Sequence, residues 1–152
     1  EFIDSFQSPL WAPKGGQIAY FHRDLTSLQA SETNGIYVTE VVCLEDRSDC
    51  LESTNGPLFP YSNDPVKAWS PDGMHIAAFL DDQGTLKVLD LETNRSQSLL
   101  QDVPYIDGLA WSPDGLWLTY SIDGDIYRVP AEGGEPEIVA ENKGNVITWI
   151  SR

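Results

Sequence analysis

Short hydrophobic runs alternate along the chain with polar segments rich in glycine, proline and aspartate, which is typical of strands joined by tight turns. Three apolar runs each open seven residues after a tryptophan, at Ile18 to Phe21, Ile76 to Leu80 and Leu118 to Tyr120. A second run follows each of them, at Ile36 to Val42, Leu86 to Leu91 and Ile126 to Val129. A weaker run comes last, near Cys50 to Ser53, Gln97 to Leu100 and Glu137 to Val139. Together with the strand that ends at the tryptophan, the pattern predicts four strands per unit.

The tryptophans belong to an internal repeat. Ala68 to Gly73 reads A-W-S-P-D-G and recurs forty-two residues later at Ala110 to Gly115, and Leu10 to Gly15 is a degenerate copy. The proline presets φ, the aspartate can accept a hydrogen bond from nearby backbone, and the glycine tolerates a positive φ, so each copy predicts a tight turn between two strands. Four short strands in such a period are typical of a β-propeller blade. The predicted fold class is therefore all-β.

The A-W-S-P-D-G segment, followed by a strand of the I-A-x-F kind and one of the I-Y-x-V kind, resembles the TolB-type propeller repeat. That repeat also occurs in the propeller domains of prolyl-oligopeptidase-like and tricorn-like proteases. The resemblance covers nearly the whole chain and implies blades of four antiparallel strands. The tryptophans of the repeat, Trp11, Trp69 and Trp111, are expected to pack between neighbouring blades.

The repeat divides the chain into three blades and a remainder. Blade 1 is predicted at about residues 6–62, blade 2 at about 63–105 and blade 3 at about 106–142, and residues 145–151 resemble the first strand of a fourth repeat. Three blades cannot close a ring, since propellers have at least four. Either the remaining blades belong to a longer chain, or chains assemble as a homo-oligomer with the propeller formed between them.

The chain is strongly acidic. Its formal net charge is −15, from 24 acidic and nine basic residues, so its field repels phosphate backbones and anionic lipid headgroups, and nucleic acid is not an expected partner. The content of 41% hydrophobic and 11% aromatic residues is too high for intrinsic disorder. No apolar run approaches 18 residues, so we expect no membrane insertion.

Cys43 and Cys50 flank a polar stretch, and their spacing suits two positions that face each other across a hairpin. We predict a disulfide, with two free thiols as the alternative; a zinc site is the poorer hypothesis, because His22 and His75 are distant in sequence. A disulfide indicates an oxidising compartment, so the expected location is periplasmic, secreted or cell-surface.

The sequence contains none of the motifs G-x-S-x-G and H-E-x-x-H and no phosphate-binding glycine loop. We therefore expect no catalytic residue, no metal and no cofactor. Function then depends on the loops, and the longest predicted connections, His22 to Asn34 and Asn55 to Pro65, fall on one face together with the link that holds Tyr105. The candidate binding residues on this loop-rich face are His22, Asp24, Glu32, Tyr61, Asp64, Asp81, Asp82 and Tyr105.

The predicted function is a non-catalytic, extracytoplasmic binding or interaction scaffold that recognises a protein or small ligand through the loop-rich face. Because that face is acidic, a cationic partner is favoured over an anionic one. The alternative is a propeller segment that gates substrate access in a larger hydrolase, such as a prolyl-oligopeptidase-like protease.

Overall fold

The computed structural model describes residues 5–24, 33–41, 57–60, 65–80, 83–144 and 149. The chain divides into two compact units, residues 1–64 and residues 65–152, and each unit is described by itself. Among the described residues, no helix has the length and hydropathy that a membrane-spanning segment needs.

The first unit contains one four-stranded antiparallel sheet. Its strands are β1 (Ser5–Trp11), β2 (Gln17–Arg23), β3 (Gly35–Glu40) and β4 (Phe59–Pro60), and they pair in sequence order. The strand beside β3 is thus Phe59–Pro60, which the sequence pattern had placed in a link between blades. Phe59 is buried, so this part of the predicted link belongs to the sheet and its core. The fourth strand that we predicted near residues 50–53 lies outside the described residues.

The second unit contains two sheets of the same design. The second sheet consists of β5 (Val66–Trp69), β6 (His75–Leu80), β7 (Thr85–Asp90) and β8 (Arg95–Leu100). The third sheet consists of β9 (Gly108–Trp111), β10 (Trp117–Ile122), β11 (Asp125–Pro130) and β12 (Glu137–Ala140). Every neighbouring pair of strands is antiparallel, which confirms the all-β fold class of four-stranded meanders.

The S-P-D-G turns have the same hydrogen bonds in both sheets of the second unit. The Ser70 hydroxyl donates to Asp72 Oδ1 at 2.5 Å and accepts from the His75 amide at 2.9 Å. The Ser112 hydroxyl makes the same two bonds, to Asp114 at 2.5 Å and from the Trp117 amide at 2.9 Å. Each glycine has a positive φ, 76° at Gly73 and 74° at Gly115, as the sequence predicted. These turns are therefore parts of the scaffold.

The core of the second unit lies between its two sheets. The second sheet contributes Ala77 and Phe79 from β6, and the third contributes Leu118 and Tyr120 from β10. Alternate positions of a strand point to the same face, so two residues from each central strand meet in one layer. Side chains therefore hold these two sheets together, while the backbone hydrogen bonds of each sheet are made among its own strands.

The three repeat tryptophans have different environments. Trp69 is buried, and Trp111 packs against the core cluster while its indole N–H donates to the Ala68 carbonyl at 3.1 Å. The packing between sheets predicted for Trp111 is confirmed. For Trp11 the prediction of a packed side chain is wrong, because Trp11 is 59% exposed. It lies at the end of β1, the first strand of the first sheet.

Trp149 contacts the third sheet much as Trp111 contacts the second. Its indole N–H donates to the Thr119 hydroxyl at 3.1 Å, and Thr119 in turn donates to the Ala110 carbonyl at 3.1 Å. Ala110 is the repeat equivalent of Ala68, the acceptor of Trp111. The rest of the fourth-repeat strand that we predicted at residues 145–151 lies outside the described residues, so this strand stays a prediction.

Candidate binding site

The candidate binding residues from the sequence are only partly described. His22, Asp24 and Tyr105 lie in the described part of the chain. The other predicted binding residues lie outside it, namely Glu32, Tyr61, Asp64, Asp81 and Asp82. The cysteines of the predicted disulfide, Cys43 and Cys50, also lie outside it.

His22 and Asp24 lie together at the loop end of the β2–β3 hairpin. His22 is a residue of β2 and not of a loop, since it pairs with Gly35. Its Nδ1 lies 3.4 Å from the Thr33 carbonyl, and its ring meets the ring of Tyr37 edge-on at 5.5 Å. The Thr33 hydroxyl donates to Asp24 Oδ2 at 3.3 Å. The structure thus places two of the predicted residues in one polar cluster at the end of the β2–β3 hairpin.

Tyr105 belongs to the second unit and lies on the link between β8 and β9. Its hydroxyl donates to the Asp123 carboxylate, and this hydrogen bond raises the pKa of Tyr105 above its usual value. Asp123 and Gly124 form the two-residue turn between β10 and β11, both with positive φ, as a type I′ hairpin turn requires. The hydrogen bond to this turn holds Tyr105 at that edge of the third sheet.

The structure shows a different candidate site at the opposite edge of the two sheets of the second unit. A cleft of about 600 Å³ lies between them, on the side of the S-P-D-G turns. A volume of this size is within the range of small-ligand sites. The residues that line the cleft come from four separate turns and the strand ends beside them, and they are Asp72, His75, Val88, Asp90, Thr93, Arg95, Ser96, Gln97, Trp111, Gly115, Ala131 and Glu132.

His75 lies between two carboxylates in this cleft. Its Nδ1 is 3.6 Å from Asp72 Oδ2, and its Nε2 is 3.9 Å from Asp90 Oδ2. The position of Asp90 follows from the strand register, since His75 and Asp90 are directly opposite on β6 and β7. The imidazole ring also faces Trp111, with 6.3 Å between ring centroids. The S-P-D-G turn contributes Asp72, the strand opposite β6 contributes Asp90, and the third sheet contributes Trp111. All three side chains lie around His75.

Backbone amides hold both carboxylates in place through their Oδ1 atoms. Partial burial alone would raise the pKa of Asp72, but hydrogen bonds from the Ser70 hydroxyl and the Met74 amide outweigh it and keep the pKa below its usual value. The Thr93 amide, assisted by the Glu92 amide, lowers the pKa of Asp90. Both carboxylates are ionised at neutral pH, because their pKa values lie below the ordinary value of about 4.

The far wall of the cleft is formed by contacts between the two sheets. Gln97 of β8 donates its side-chain N–H to the Glu132 carbonyl at 3.0 Å, which fixes the turn after β11 against the edge of the second sheet. Arg95 lies across β7–β8 from Asp90 in the strand register. Within the described residues, the Arg95 guanidinium has no ion-pair partner, so its donors can reach a ligand.

Two residues of the cleft, His75 and Asp90, differ from their repeat equivalents, while the S-P-D-G turn beside them does not. The position of His75 is Gln17 in the first sheet and Trp117 in the third, and Asp90 corresponds by register to Glu40 and Pro130. In the third sheet Trp117 is covered by the Arg128 guanidinium at 4.3 Å. This site was not predicted from the sequence, because the repeat was used only to find residues that the blades have in common. The positions at which one blade differs from the others, such as His75, could have indicated it.

The described part of the chain contains no group of three histidine, cysteine or carboxylate side chains that could bind one metal ion. The two nitrogens of His75 face different carboxylates, those of Asp72 and Asp90.

Comparison with solved structures shows the class of fold. TolB from Acinetobacter baumannii matches with a TM-score of 0.61 and 20% identity over 93% of this chain and 33% of that one. Acylaminoacyl peptidase from Pyrococcus horikoshii matches with a TM-score of 0.62 and 18% identity over 90% and 25% of the two chains. Hydrazine synthase from Kuenenia stuttgartiensis matches with a TM-score of 0.55 and 14% identity over 82% and 32%.

The chain is thus made of β-propeller blades, and it spans a third or less of the length of each of these proteins. No family model matches the sequence, and no curated protein matches it either. At this level of identity the likeness shows the fold alone. Proteins with very different names share the architecture, so function has to be argued from the site.

Proposed function

We propose that this chain is a non-catalytic binding module made of propeller blades, and that its ligand site is the cleft around His75. The observation that carries the proposal is the contrast between repeats. Ser70 and Ser112 make identical turn hydrogen bonds, while the cleft residues His75 and Asp90 have no counterparts of their kind in the third sheet. Residues that the scaffold does not need, gathered in a cleft of ligand size, indicate recognition.

The surroundings of His75 favour binding over catalysis. A histidine that activates a nucleophile must reach the hydroxyl or thiol that it deprotonates. In the described part of the chain, both ring nitrogens face carboxylates, and neither is hydrogen-bonded to a hydroxyl. The Ser70 hydroxyl, in the same turn, is buried and already occupied by Asp72 and the His75 amide. His75 is therefore placed to recognise a ligand and not to activate a nucleophile.

The test compares the two histidines of the chain. We titrate ¹⁵N-labelled protein with a pool of tripeptides that carry basic, acidic or uncharged side chains. We expect amide shifts at Thr93, Ser96 and Glu132 around the cleft. His75→Gln, which installs the residue of the first sheet, should keep the fold and weaken these shifts, because it removes a ring that contacts the ligand.

His22→Gln is the matched control, since His22 lies in the loop-rich face. It should leave the cleft shifts unchanged. Shifts that appear instead at His22, Asp24 and Tyr105, and that vanish in His22→Gln, would move the binding site to the loop-rich face. No shift with any tripeptide would contradict a peptide-binding cleft.

The loop-rich face remains a second proposed surface. Its support in the structure is the cluster in which His22 and Asp24 both contact Thr33 at the loop end of the β2–β3 hairpin. A protein partner or a small ligand would bind there, with further blades or a second copy of the chain completing the ring.

A role as the propeller segment of a larger hydrolase is the rival function. The likeness to acylaminoacyl peptidase, which extends over 90% of this chain, favours it. The full coding sequence decides between the two, because an α/β-hydrolase pattern beyond these blades would support the gating role. Closure of the propeller without such a domain would support the binding module.

The proposed extracytoplasmic location depends on the disulfide between Cys43 and Cys50. We expect oxidised protein to resist alkylation and to gain two alkyl groups only after reduction, as intact-mass spectrometry would show. The bond should stabilise the fold by about 2 to 3 kcal/mol, the entropy loss for so short a loop. Two thiols that react without reductant would remove the bond and the main support for this location.

A further inference from the structure

The charges of the cleft around His75 point to the chemistry of its ligand. Of the charged side chains that line it, Asp72, Asp90 and Glu132 are acidic and Arg95 is basic. The chain as a whole has a formal charge of −15, so the long-range field has the same sign as the cleft. A field of this kind attracts cations and repels anions.

Asp72 and Asp90 each have one carboxylate oxygen that can accept a hydrogen bond from a ligand. In each, Oδ1 is engaged by the backbone: Asp72 Oδ1 accepts from the Met74 amide at 2.8 Å, and Asp90 Oδ1 accepts from the Thr93 amide at 2.9 Å. The Oδ2 atoms face His75 at 3.6 Å and 3.9 Å, which is longer than a hydrogen bond. In the described residues, no lysine or arginine pairs with either carboxylate. Both Oδ2 atoms can therefore accept from a charged donor of a ligand.

Trp111 adds an aromatic wall beside these carboxylates. Its N–H is already used on the Ala68 carbonyl, so the ring can offer a ligand only its π system and its apolar edge. Carboxylates next to the face of a tryptophan recognise ammonium and guanidinium groups, through charge-assisted hydrogen bonds and cation–π attraction. The third sheet shows this chemistry within the chain, where the Arg128 guanidinium lies over Trp117 and is paired with Glu137 at 2.5 Å.

We infer that the cleft binds a basic side chain of a peptide, an arginine or a lysine, between the carboxylates of Asp72 and Asp90 and the ring of Trp111. A cleft of about 600 Å³ is larger than one such side chain, so residues on either side of it also fit. Arg95 lies on the same wall as Gln97 and can donate to peptide carbonyl groups. This inference depends on the proposed binding function and specifies its ligand.

The test measures the fluorescence anisotropy of a fluorescein-labelled Gly-Ala-Arg-Ala-Gly peptide. The same peptide with citrulline in place of arginine keeps the shape and hydrogen-bonding groups but removes the charge. We expect the arginine peptide to bind at least about tenfold more tightly, as the loss of a charge-assisted contact implies. Added salt should weaken its binding.

Asp72→Asn together with Asp90→Asn should weaken binding of the arginine peptide by about tenfold or more, because both variants keep the Oδ1 acceptor and lose the charge. Asp114→Asn is the matched control. Asp114 makes the same turn hydrogen bonds as Asp72, from Ser112 and the Leu116 amide, but it does not line the cleft. Binding by this variant should stay within about twofold of the parent value.

Four other outcomes would overturn the inference, each in a different way. Equal binding of the arginine and citrulline peptides, with both lost in His75→Gln, would overturn the cationic ligand and retain the cleft as a binding site. An equal loss in Asp114→Asn would show a general field effect and overturn the site. Saturable binding of Ca²⁺ alone that excludes the peptide would replace the basic side chain by a metal. Failure of arginine, citrulline and glutamate peptides alike would overturn both this inference and a peptide-binding function for the cleft.

Discussion

Leu118→Ala is expected to lower the free energy of unfolding of the second unit by about 2 to 5 kcal/mol. Leu118 is fully buried in β10 and belongs to the core cluster between the second and third sheets. Alanine removes three carbon atoms and leaves a cavity between two rigid sheets. The cost depends on how far the two sheets can relax into the cavity, and close packing around it lets them do so only in part.

Urea denaturation followed by tryptophan fluorescence measures this loss. Leu116→Ala is the control, since Leu116 lies two residues earlier in the turn and is 63% exposed. We expect that variant to change stability by less than about 0.5 kcal/mol, as is usual for exposed positions. Comparable losses in the two variants would contradict the inter-sheet core.

Gly35→Ala is expected to destabilise the first unit by about 3 kcal/mol or more, at the upper end of overpacking effects. A Cβ atom at this position would collide with the carbonyl oxygen of Phe59 and would lie 2.6 Å from Pro57 Cβ. Phe59 pairs with Ile36, the neighbour of Gly35, so relief of the clash requires β3 and β4 to separate. Thermal unfolding monitored by circular dichroism measures the effect.

Gly15→Ala provides the comparison in the same unit. Gly15 has φ of 74°, but a Cβ atom there would have nothing within 4 Å. Its substitution therefore costs only the strain of a positive φ, about 1 kcal/mol. Unfolding temperatures that fall equally for both variants would mean that the close approach of β4 to Gly35 does not stabilise the sheet.

The repeat made the strands of the second and third sheets predictable from sequence. Both copies of the turn have serine and aspartate side chains that bond the backbone on either side, so the pattern and the physical cause coincide. The first copy shows the limit of the motif. Its turn has alanine and lysine in their place, yet the Ala12 amide still donates to the Gln17 carbonyl at 3.0 Å. The backbone forms this turn, and the side chains only reinforce it.

Other features were beyond the reach of a periodic pattern. Strand β4 has two residues, Phe59 and Pro60, which is too short to show alternation, and a proline is usual only at an edge. The cleft was missed for a different reason. The register of β6 and β7 places Asp72 and Asp90 at one end of the second sheet, but only the packing of the third sheet on the second brings Glu132 and Trp111 beside them. Long loops suggested a binding face, whereas the charged cleft lies among short turns.

Thr119 shows how one side chain can alter the contact that the tryptophan of the following repeat makes. Trp111 bonds the Ala68 carbonyl directly, but between Trp149 and the equivalent carbonyl of Ala110 one threonine hydroxyl is interposed. The second sheet has Ala77 where the third has Thr119. The Thr119 hydroxyl thus bridges the indole of Trp149 to that carbonyl, which the methyl group of Ala77 could not do in the second sheet. A single side chain can therefore change how a repeat tryptophan is held, while the carbonyl that receives it stays at the same repeat position.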